Sequence, residues 1–415
     1  MSKTKPFIIS KHLVMDAFKL VKANQGGAGV DKQSLGEFER NLKDNLYKIW
    51  NRMSSGSYVP PEVKAVEIPK KSGGVRVLGI PTVSDRVAQM VVKLMLEPNL
   101  EPIFLDDSYG YRLHKSALDA VGVTRQRCWK QDWVLEFDIK GLFDNIDHEL
   151  LMKAVDKHTD VQWIKLYIKR WLTAPINIKG KSISRTKGTP QGGVISPLLA
   201  NLFLHYTFDV WMKRNHPYLQ WCRYADDGLV HCKSEAQAKY ILNQLNNRFN
   251  ECGLELHPTK TKIVYCKDGA RKGDYENTSF DFLGYTFRRR LVKNTKRGTM
   301  FINFTPAVSK NALKAMRTKT RKSNFRNQPN LTLQDIAKLY NPVLRGWLQY
   351  YGKFYPSAMY PVLRHFNQTL VAWARRKYKK LARHKTRAGM FIEEISKTQP
   401  NLFPHWQKGM IGAFA

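Results

Sequence analysis

The sequence predicts an α+β protein in which a part with mixed helices and strands precedes a basic helical module. Two stretches of strand-forming residues, 63–80 and 133–139, predict the β structure. Helical spacing of apolar residues predicts the module that ends the chain. With 415 residues and 43% apolar content, the chain can bury a sizeable core and form two or three domains.

The first predicted β element is a hairpin near the N-terminus. Its strands read V-K-A-V-E-I-P over 63–69 and V-R-V-L-G-I over 75–80, joined by the turn K-K-S-G-G. Gly-rich turns between such runs are typical of hairpins. We therefore expect the basic turn to lie at an exposed tip.

The middle of the chain predicts a strand, a second hairpin and a helix, in that order. The strand is W-V-L-E-F-D-I over 133–139. In the hairpin, D-D-G lies between two strand-forming runs, and we expect Asp and Gly to supply the turn conformations. Ser234 and Gln237 predict the N-terminal cap of an amphipathic helix that continues to Gly253.

The C-terminal part is helical by pattern. Thr305-Pro306 is expected to cap and open its first helix, since proline suits the first helical position. Further on, helical spacing is kept by a set of apolar residues: Met359, Val362, Leu363, Phe366, Leu370 and Trp373. We therefore expect a separate helical domain.

The charge of the chain indicates a polyanionic partner. Its 69 Lys and Arg against 34 Asp and Glu give a net charge of +35. Residues 288–387 hold 25 of these bases and one acid, Asp335, a net charge of +24. An anionic membrane is the rival partner, but no run of about 18 apolar residues and no signal peptide is present. Five scattered cysteines without a C-x-x-C pair predict neither disulfides nor zinc.

An acidic cluster in so basic a chain calls for cations. Asp226 and Asp227 are expected at the second hairpin, and Asp138 near the end of its strand can lie beside them. Most D-G hairpins are only turns, so the third acid strengthens the interpretation. Carboxylates that repel each other suit Mg²⁺, and two such ions about 4 Å apart perform nucleotidyl transfer.

The Y-A-D-D stretch, 224–227, resembles the Y-x-D-D signature of reverse transcriptases. Other blocks of the chain are similar to the group II intron reverse transcriptase/maturase family and follow its order. These blocks are N-Q-G-G-A-G-V-D (24–31), E-I-P-K-K-S-G-G-V-R-V-L-G-I-P (67–81), S-Y-G-Y-R (108–112), F-D-I-K-G-L-F-D (137–144), K-G-T-P-Q-G-G-V-I-S-P (187–197) with Asn201, G-L-E-L-H-P-T-K (253–260) and F-L-G-Y (282–285). Together they cover most of the chain.

The resemblance implies a right-hand polymerase with fingers, a palm of antiparallel sheet plus helices, and a helical-bundle thumb. It places an N-terminal extension and the fingers in 1–131 and the palm with the catalytic acids in 132–300. The thumb, which doubles as the maturase domain, is expected in 301–383, followed by a short tail, 384–415.

The resemblance also implies catalytic roles. Asp138, Asp226 and Asp227 are expected to hold the metal ions, and Lys260 to protonate the departing pyrophosphate. From the residues alone, Lys260 is as well explained as a solvated surface lysine. An idle site would be expected to lose such acids, so their presence favours an active enzyme.

Four further residues are implied to bind the nucleotide. Lys70 and Arg76 are expected to hold its triphosphate, Phe143 to exclude a 2′-hydroxyl, and Gln191 to approach the nascent base pair. The alternatives stay open for each: an exposed basic hairpin tip for Lys70 and Arg76, a core residue for Phe143, and a loop before the helix that begins near Ser196-Pro197 for Gln191.

Residues outside the polymerase centre are expected to contact nucleic acid. The resemblance and the charge pattern give six of them: Arg112, Tyr285, Arg375, Arg376, Lys379 and Lys380. A solvated helix face is the alternative for the last four, although such a face normally mixes signs.

The function implied is an RNA-directed DNA polymerase that binds its own structured group II intron RNA and promotes its splicing and mobility. It is expected to use two Mg²⁺ ions, with Mn²⁺ as a substitute, together with dNTPs, an RNA template and a DNA or RNA primer. We expect no membrane partner and a bacterial cytoplasmic ribonucleoprotein at the nucleoid; the oligomeric state stays open. The chain ends without the paired cysteines of the nuclease extension found in many relatives.

Three alternative functions stay open. The first is a host-adopted reverse transcriptase in DNA repair, phage defence or spacer acquisition. The second is a non-catalytic RNA-binding splicing factor. The third is a viral-type RNA polymerase, against which Phe143 stands.

Overall fold

The computed structural model describes residues 5–69, 74–294 and 296–411. Lys70, which the sequence assigns to the triphosphate, therefore lies outside the described residues. Helices and antiparallel strand pairs are both abundant, so the predicted α+β class is confirmed. Within the described part of the chain, no helix combines the length and the apolar character needed to cross a lipid bilayer.

Contacts between residues divide the chain into two compact units. The first unit comprises Met1–Ala120 and Leu135–Ile263, and the second comprises Val121–Val134 and Val264–Ala415. Both units are therefore discontinuous in sequence, and each draws on the middle of the chain. The domain boundaries that the resemblance implies, at 131, 300 and 383, stay predictions.

The helices vary from single turns to five turns in length. In chain order they are α1 Lys11–Asn24, α2 Leu35–Arg40, α3 Leu42–Ser54, α4 Val83–Leu100, α5 Ala117–Lys130, α6 Leu142–Asn145, α7 His148–Asp156, α8 Gln162–Thr173, α9 Ser196–Leu204, α10 Val210–Asn215, α11 Glu235–Glu251, α12 Lys310–Ser323, α13 Leu333–Tyr351, α14 Tyr360–Lys377 and α15 Lys385–Thr398. A π-helical turn, His205–Asp209, joins α9 to α10.

Within the described residues, the strands form three sheets. In chain order they are β1 Val63–Pro69, β2 Val75–Ile80, β3 Trp133–Asp138, β4 Ile176–Ile178, β5 Lys181–Ile183, β6 Gln220–Tyr224, β7 Asp227–Cys232, β8 Lys262–Tyr265, β9 Ser279–Phe282, β10 Tyr285–Lys293 and β11 Met300–Val308. The sheet orders are β2-β1-β4-β5, β6-β7-β3-β8 and β11-β10-β9. The pairs β1/β2, β4/β5, β6/β7, β9/β10 and β10/β11 are antiparallel, whereas β1 and β4 are parallel.

The predicted first hairpin and the predicted amphipathic helix are both confirmed. Strands β1 and β2 have the expected bounds and pair from Lys64 with Ile80 to Pro69 with Val75. Ser234 caps α11 by accepting a hydrogen bond from the backbone N–H of Gln237. Ile241, Leu245 and Phe249 bury one face of that helix, as their spacing predicts.

The prediction that Thr305-Pro306 opens a helix is wrong. Both residues lie in β11, where Thr305 pairs with Arg288 and Pro306 with Phe287 of β10. Strand β11 is at the edge of its sheet, and a proline is tolerated at an edge because one side of the strand needs no N–H donor. The helix α12 begins instead after Ser309, whose side chain accepts from the N–H of Ala312.

The second unit contains the helical core that the apolar spacing predicts. Met359, Val362, Leu363, Phe366, Leu370 and Trp373 are all buried. They pack with residues of α12, α13 and α15 in one cluster. Phe403 and Trp406 join the same cluster, so the segment assigned to a tail contributes a helix and buried aromatic rings to this core.

Candidate active site

The hairpin that carries the adjacent acids turns through two residues. Tyr224 pairs with Asp227, which leaves Ala225 and Asp226 as the turn. Ala225 has a φ of 55°, in the left-handed region that favours glycine. The expected turn chemistry is thus corrected: Asp226 is in the turn, but the glycine of D-D-G is already in β7.

Gly228 serves packing rather than the turn. A Cβ atom at this position would lie 2.0 Å from Cζ of the Phe137 ring, which is itself buried in β3. Only glycine lets the hairpin lie this close to β3. The close approach brings the Asp227 end of β7 beside the Asp138 end of β3.

The three predicted acids meet at the ends of these strands. Burial, together with the charges of Asp226 and Asp138, raises the pKa of Asp227 to about 8, and Asp227 also shares a hydrogen bond with Asp138. Burial raises the pKa of Asp226 as well, and the charge of Asp138 adds to this effect. Two of the three carboxylates therefore strongly favour a bound proton or a cation.

Lys260 belongs to the same cluster. Its Nζ donates to Oδ2 of Asp138 at 2.9 Å. The segment before Lys260 is fixed by a hydrogen bond of 2.8 Å from the N–H of His257 to the carbonyl of Asp138, and by the bridge between Ile139 and Leu256. The structure thus brings together all four residues that the resemblance assigns to catalysis.

Arg76 and Gln191 also meet. The Nε of Arg76 donates to Oε1 of Gln191, and Nε2 of Gln191 donates to Oδ2 of Asp144 at 3.3 Å. The N–H of Gly79 in β2 donates to the carbonyl of Gln191 at 2.7 Å. These contacts join the first hairpin to the G-T-P-Q-G-G loop. Asp144, the last residue of the F-D-I-K-G-L-F-D block, is an addition to the predicted set.

Phe143 lies at the base of the same loop. Its side chain is largely buried, and its carbonyl accepts from the N–H of Thr189 at 2.7 Å. A Cβ at Gly188 would lie 2.6 Å from that carbonyl oxygen, so this glycine permits the close approach. Phe143 is therefore a core residue beside the G-T-P-Q-G-G loop, and its contact with a sugar stays a prediction.

Tyr111 is a second addition to the predicted set. Burial, followed by the negative charge of Asp226, raises the pKa of Tyr111, whereas Arg76 lowers it. The half-exposed phenol therefore lies within the electrostatic field of both side chains. Little in the sequence indicates a role for Tyr111. It stands within the S-Y-G-Y-R block, and a tyrosine there does not by itself indicate catalysis or binding.

A fully buried arginine supports the hairpin turn. Arg223 forms a bidentate ion pair with Asp209 at 2.7 and 2.8 Å. Its guanidinium also donates to Oγ of Ser108 at 2.8 Å, to Oδ1 of Asn201 at 3.1 Å and to the carbonyl of Ala225 at 3.1 Å. The hydrogen bond to the carbonyl of Ala225 holds the residue that precedes Asp226 in the turn. The sequence showed only an arginine in a strand, so it gave no sign of this role.

The segment that follows Ser108 packs against the same turn. The amide of Asn201 donates to the carbonyl of Gly110 at 2.6 Å, and the N–H of Tyr109 donates to the carbonyl of Arg223 at 2.8 Å. A Cβ at Gly110 would lie 2.4 Å from the backbone nitrogen of Ala225. The S-Y-G-Y-R block therefore shapes the hairpin turn that carries Asp226 from outside the acidic cluster.

A buried carboxylate anchors the G-T-P-Q-G-G loop. Asp85 accepts from Tyr58 Oη at 2.9 Å, Trp171 Nε1 at 2.7 Å and Gln89 Nε2 at 2.9 Å. Oε1 of Gln89 in turn accepts from the N–H of Val194 at 2.8 Å. Burial raises the pKa of Asp85 to about 6 despite these three donors.

Stability should therefore depend on the protonation of Asp85. A carboxyl whose pKa is raised on folding stabilises the protein below its ordinary pKa near 4, and this stability is lost as the pH rises through about 6. From pH 4 to pH 7 the loss should be roughly 2–3 kcal/mol. Urea unfolding at several pH values measures it, as the difference between the wild type and Asp85→Asn. A difference that does not change with pH contradicts the assignment.

Two predicted nucleic-acid contacts need correction. Arg112 is largely buried and donates to Glu101 and to the carbonyls of Leu105 and Ser108. Tyr285 is fully buried, and its hydroxyl donates to the carbonyl of Tyr350. Because neither side chain is free to meet a ligand, both support the fold around them instead.

The four basic residues at the end of α14 are placed as a contact surface requires. Lys379 and Lys380 are exposed in a 3₁₀ turn, and Arg376 is exposed in the last turn of α14. Arg375 is half-buried and donates to the carbonyl of Ala382 at 3.2 Å. In the described residues, none of the four has a carboxylate partner, so their charge is available to phosphates.

The acidic cluster is chemically suited to a divalent cation. With the side chains as they stand, no group of three or more His, Cys, Asp or Glu residues within 5–69, 74–294 and 296–411 is arranged to hold a metal ion. Asp138 is instead engaged by Lys260 and Asp227. Carboxylate oxygens are nevertheless the donors that hard cations prefer, and a cation relieves the repulsion that raises the pKa of Asp227.

Comparisons with known proteins agree with this geometry. The family model described as "Reverse transcriptase (RNA-dependent DNA polymerase)" matches residues 68–287, and the model "Group II intron, maturase-specific domain" matches residues 313–389. The first match contains the acidic cluster, Lys260, Arg76, Phe143 and Gln191. The second contains α14.

Individual relatives match over most of the chain. Protein YkfC of Escherichia coli (strain K12) is 30% identical over 330 residues, covering 69% of this chain and 82% of that protein. Group II intron-encoded protein LtrA of Lactococcus lactis subsp. cremoris is 27% identical over 431 residues, covering 83% and 69%. Among solved structures, telomerase from Candida albicans matches with a TM-score of 0.44 and 13% identity, over 91% of this chain and 68% of that chain.

Proposed function

Because this chain belongs to the reverse transcriptase family and carries the group II intron maturase-specific domain, we propose that Asp138, Asp226 and Asp227 are the catalytic acids of its RNA-directed DNA polymerase. The observation that carries this assignment is the meeting of the three carboxylates with Lys260 at the end of β3. Like charges gathered in this way favour a bound proton or a cation, and the metal-dependent chemistry of the family favours the cation.

The family depends on divalent metal ions, and we assign two Mg²⁺ ions, with Mn²⁺ as a substitute, to the three acids. When bound, such ions lower the pKa of an attacking primer hydroxyl and neutralise the charge of the leaving pyrophosphate. Asp138 and Asp227, held by β3 and β7, fix the ligand positions. Lys260, within hydrogen-bond distance of Asp138, is assigned the protonation of the pyrophosphate.

The nucleotide is assigned to the space between the first hairpin and the acidic cluster. Arg76 supplies a planar fork for phosphate oxygens, and Lys70 on the same hairpin is given the same role. Gln191, which already contacts Arg76, is placed beside the new base pair. Phe143 is assigned the exclusion of a 2′-hydroxyl, which makes dNTPs the substrates.

The basic C-terminal part is assigned the binding of RNA. The maturase-specific domain implies intron RNA as a ligand, and the polymerase implies an RNA template with a DNA or RNA primer. Residues 288–387 carry a net charge of +24, so counterion release should make this binding strongly dependent on salt. We propose a bacterial ribonucleoprotein at the nucleoid that promotes splicing and mobility of its own intron.

Sequencing the RNA that co-purifies with the protein from its native host tests the intron partner. At moderate salt we expect one structured transcript that contains this reading frame. The variant Asp226→Asn should bring down the same RNA, because that substitution leaves the basic C-terminal part unchanged. A heterogeneous pool of cellular RNA contradicts the intron assignment and favours the host-adopted polymerase.

A further inference from the structure

A basic cleft lies between α12 and α14 in the second unit. Its volume is about 340 Å³, and it is lined by Arg317, Arg321, Tyr360, Pro361, Arg364, His365 and Gln368. Clefts of roughly 300 Å³ and more are large enough for a small ligand. The cleft lies inside the maturase-specific match, 313–389, and nothing assigned so far uses it.

The lining follows from helical spacing on both sides. Arg317 and Arg321 are one turn apart on α12, and Tyr360, Arg364 and Gln368 are successive turns of one stripe on α14. Residues four apart lie on one helix face. Each helix therefore presents a single face to the cleft, and these faces combine positive charge with one aromatic ring and one amide.

The three arginines are not neutralised by the protein. Among the described residues, no salt bridge joins Arg317, Arg321 or Arg364 to a carboxylate; the ion pairs in this unit belong to other bases, such as Lys267, Arg271 and Lys397. Asp335 is the only acid in 301–383, and it caps the start of α13. Three guanidinium groups without carboxylates indicate an anionic ligand, for which the planar fork of arginine suits phosphate.

The remaining lining residues suit a heterocyclic base. Tyr360 is 53% exposed, which leaves its side chain accessible for stacking. Gln368 offers an amide with both a donor and an acceptor. The Nε2 atom of His365 is buried without a hydrogen-bond partner. Buried polar atoms are normally paired, so a partner for this nitrogen is expected in solvent or in a ligand that occupies the cleft.

The state of His365 agrees with a site for an anion. Burial lowers its pKa, and the positive charges of Arg321, Arg317 and Arg326 lower it further. The imidazole is therefore neutral near pH 7, with one nitrogen able to donate and one able to accept. A phosphate bound to the arginines would remove part of the repulsion on this ring.

We propose that this cleft holds a single unpaired nucleotide extruded from structured RNA, with its phosphate on Arg317, Arg321 and Arg364 and its base against Tyr360. The inference rests on the proposed RNA partner and deepens it, because it names the RNA feature that is recognised. Proteins read RNA mainly at loops and bulges, where bases stack on aromatic rings and arginine planes. The cleft gives the helical domain a preference for bulged RNA that charge alone does not provide.

Binding of two RNA hairpins tests the proposal on the full chain. The hairpins are identical except that one carries a single-nucleotide bulge in its stem. Stacking of one base contributes on the order of 1–3 kcal/mol, so we expect the wild type to bind the bulged hairpin about tenfold more tightly. The double variant Arg321→Gln, Arg364→Gln should lose this preference, and Tyr360→Ala should weaken it.

A matched control variant distinguishes recognition by the cleft from attraction by positive charge in general. The variant Lys310→Gln, Lys314→Gln removes the same charge from exposed positions of α12 outside the cleft, and it should weaken both hairpins equally while the preference is kept. Equal binding of the two hairpins by the wild type overturns the proposal, as does loss of preference in the control variant. Primer extension on a homopolymer template, measured on the same samples, reports separately on the polymerase.

Discussion

Replacing Asp226 by asparagine should reduce RNA-templated DNA synthesis by roughly a thousandfold or more. The substitution keeps the size of the side chain but removes the charge that holds a divalent cation in the cluster with Asp138 and Asp227. Primer extension on an RNA template, with dNTPs and Mg²⁺, measures the loss. Asp138→Asn should behave in the same way, because both acids belong to one cluster.

The control for this experiment is Asp160→Asn, an exposed aspartate outside the cluster, which should synthesise DNA at the wild-type rate. All variants should bind the template and primer with unchanged affinity, since the substitutions are outside the basic C-terminal part. Undiminished synthesis by Asp226→Asn refutes the metal assignment. Efficient incorporation of NTPs by the wild type would contradict the exclusion of a 2′-hydroxyl by Phe143. It would favour the alternative that the protein is an RNA polymerase.

Replacing Arg223 by methionine should lower both the free energy of unfolding and DNA synthesis. The change leaves the carboxylate of Asp209 buried and unpaired, which costs roughly 3–5 kcal/mol. It also removes the donor to the carbonyl of Ala225, which holds the turn before Asp226. Urea unfolding measures the first effect, and kcat for primer extension measures the second.

A double variant separates stability from positioning. Arg223→Met with Asp209→Leu removes both charges, and apolar pairs of this kind often restore stability. We expect the free energy of unfolding to recover while kcat stays low, because the carbonyl of Ala225 still lacks its donor. KM for dNTPs should change little. Recovery of both quantities means that Arg223 supports the fold only.

Local sequence predicted those parts of the fold that depend on local pattern. The bounds of β1 and β2, the cap at Ser234 and the buried stripe of α14 all follow from residue types at short range. The prediction of a helix start at Thr305-Pro306 was wrong, because a proline after a threonine also suits an edge strand. Which of the two occurs depended on the pairing of β11 with β10, which is not a local property.

The residues of the candidate site also fall into two groups, those that a local motif indicated and those that depend on the tertiary structure. The four residues proposed to be catalytic lie in motifs, so the resemblance indicated them, and the structure brings them together. Tyr111 lies in the S-Y-G-Y-R block and Arg223 directly precedes Y-A-D-D, but neither is assigned a role from the sequence, because their contacts depend on which elements pack together in three dimensions. Arg112 and Tyr285 stand in motifs, but both are buried. Their prediction as nucleic-acid contacts was wrong because a motif does not reveal whether a side chain points toward solvent.

The closeness of β7 to β3, which Gly228 permits, has a consequence for the evolution of this protein. Packing fixes the carboxylates side by side before any ligand arrives, so their repulsion opposes folding in every molecule of the protein. Selection for maximal thermodynamic stability would replace one of these acids, whereas selection for the proposed catalysis would keep them. The active sequence is therefore a compromise between robustness and turnover, as catalytic sites commonly are.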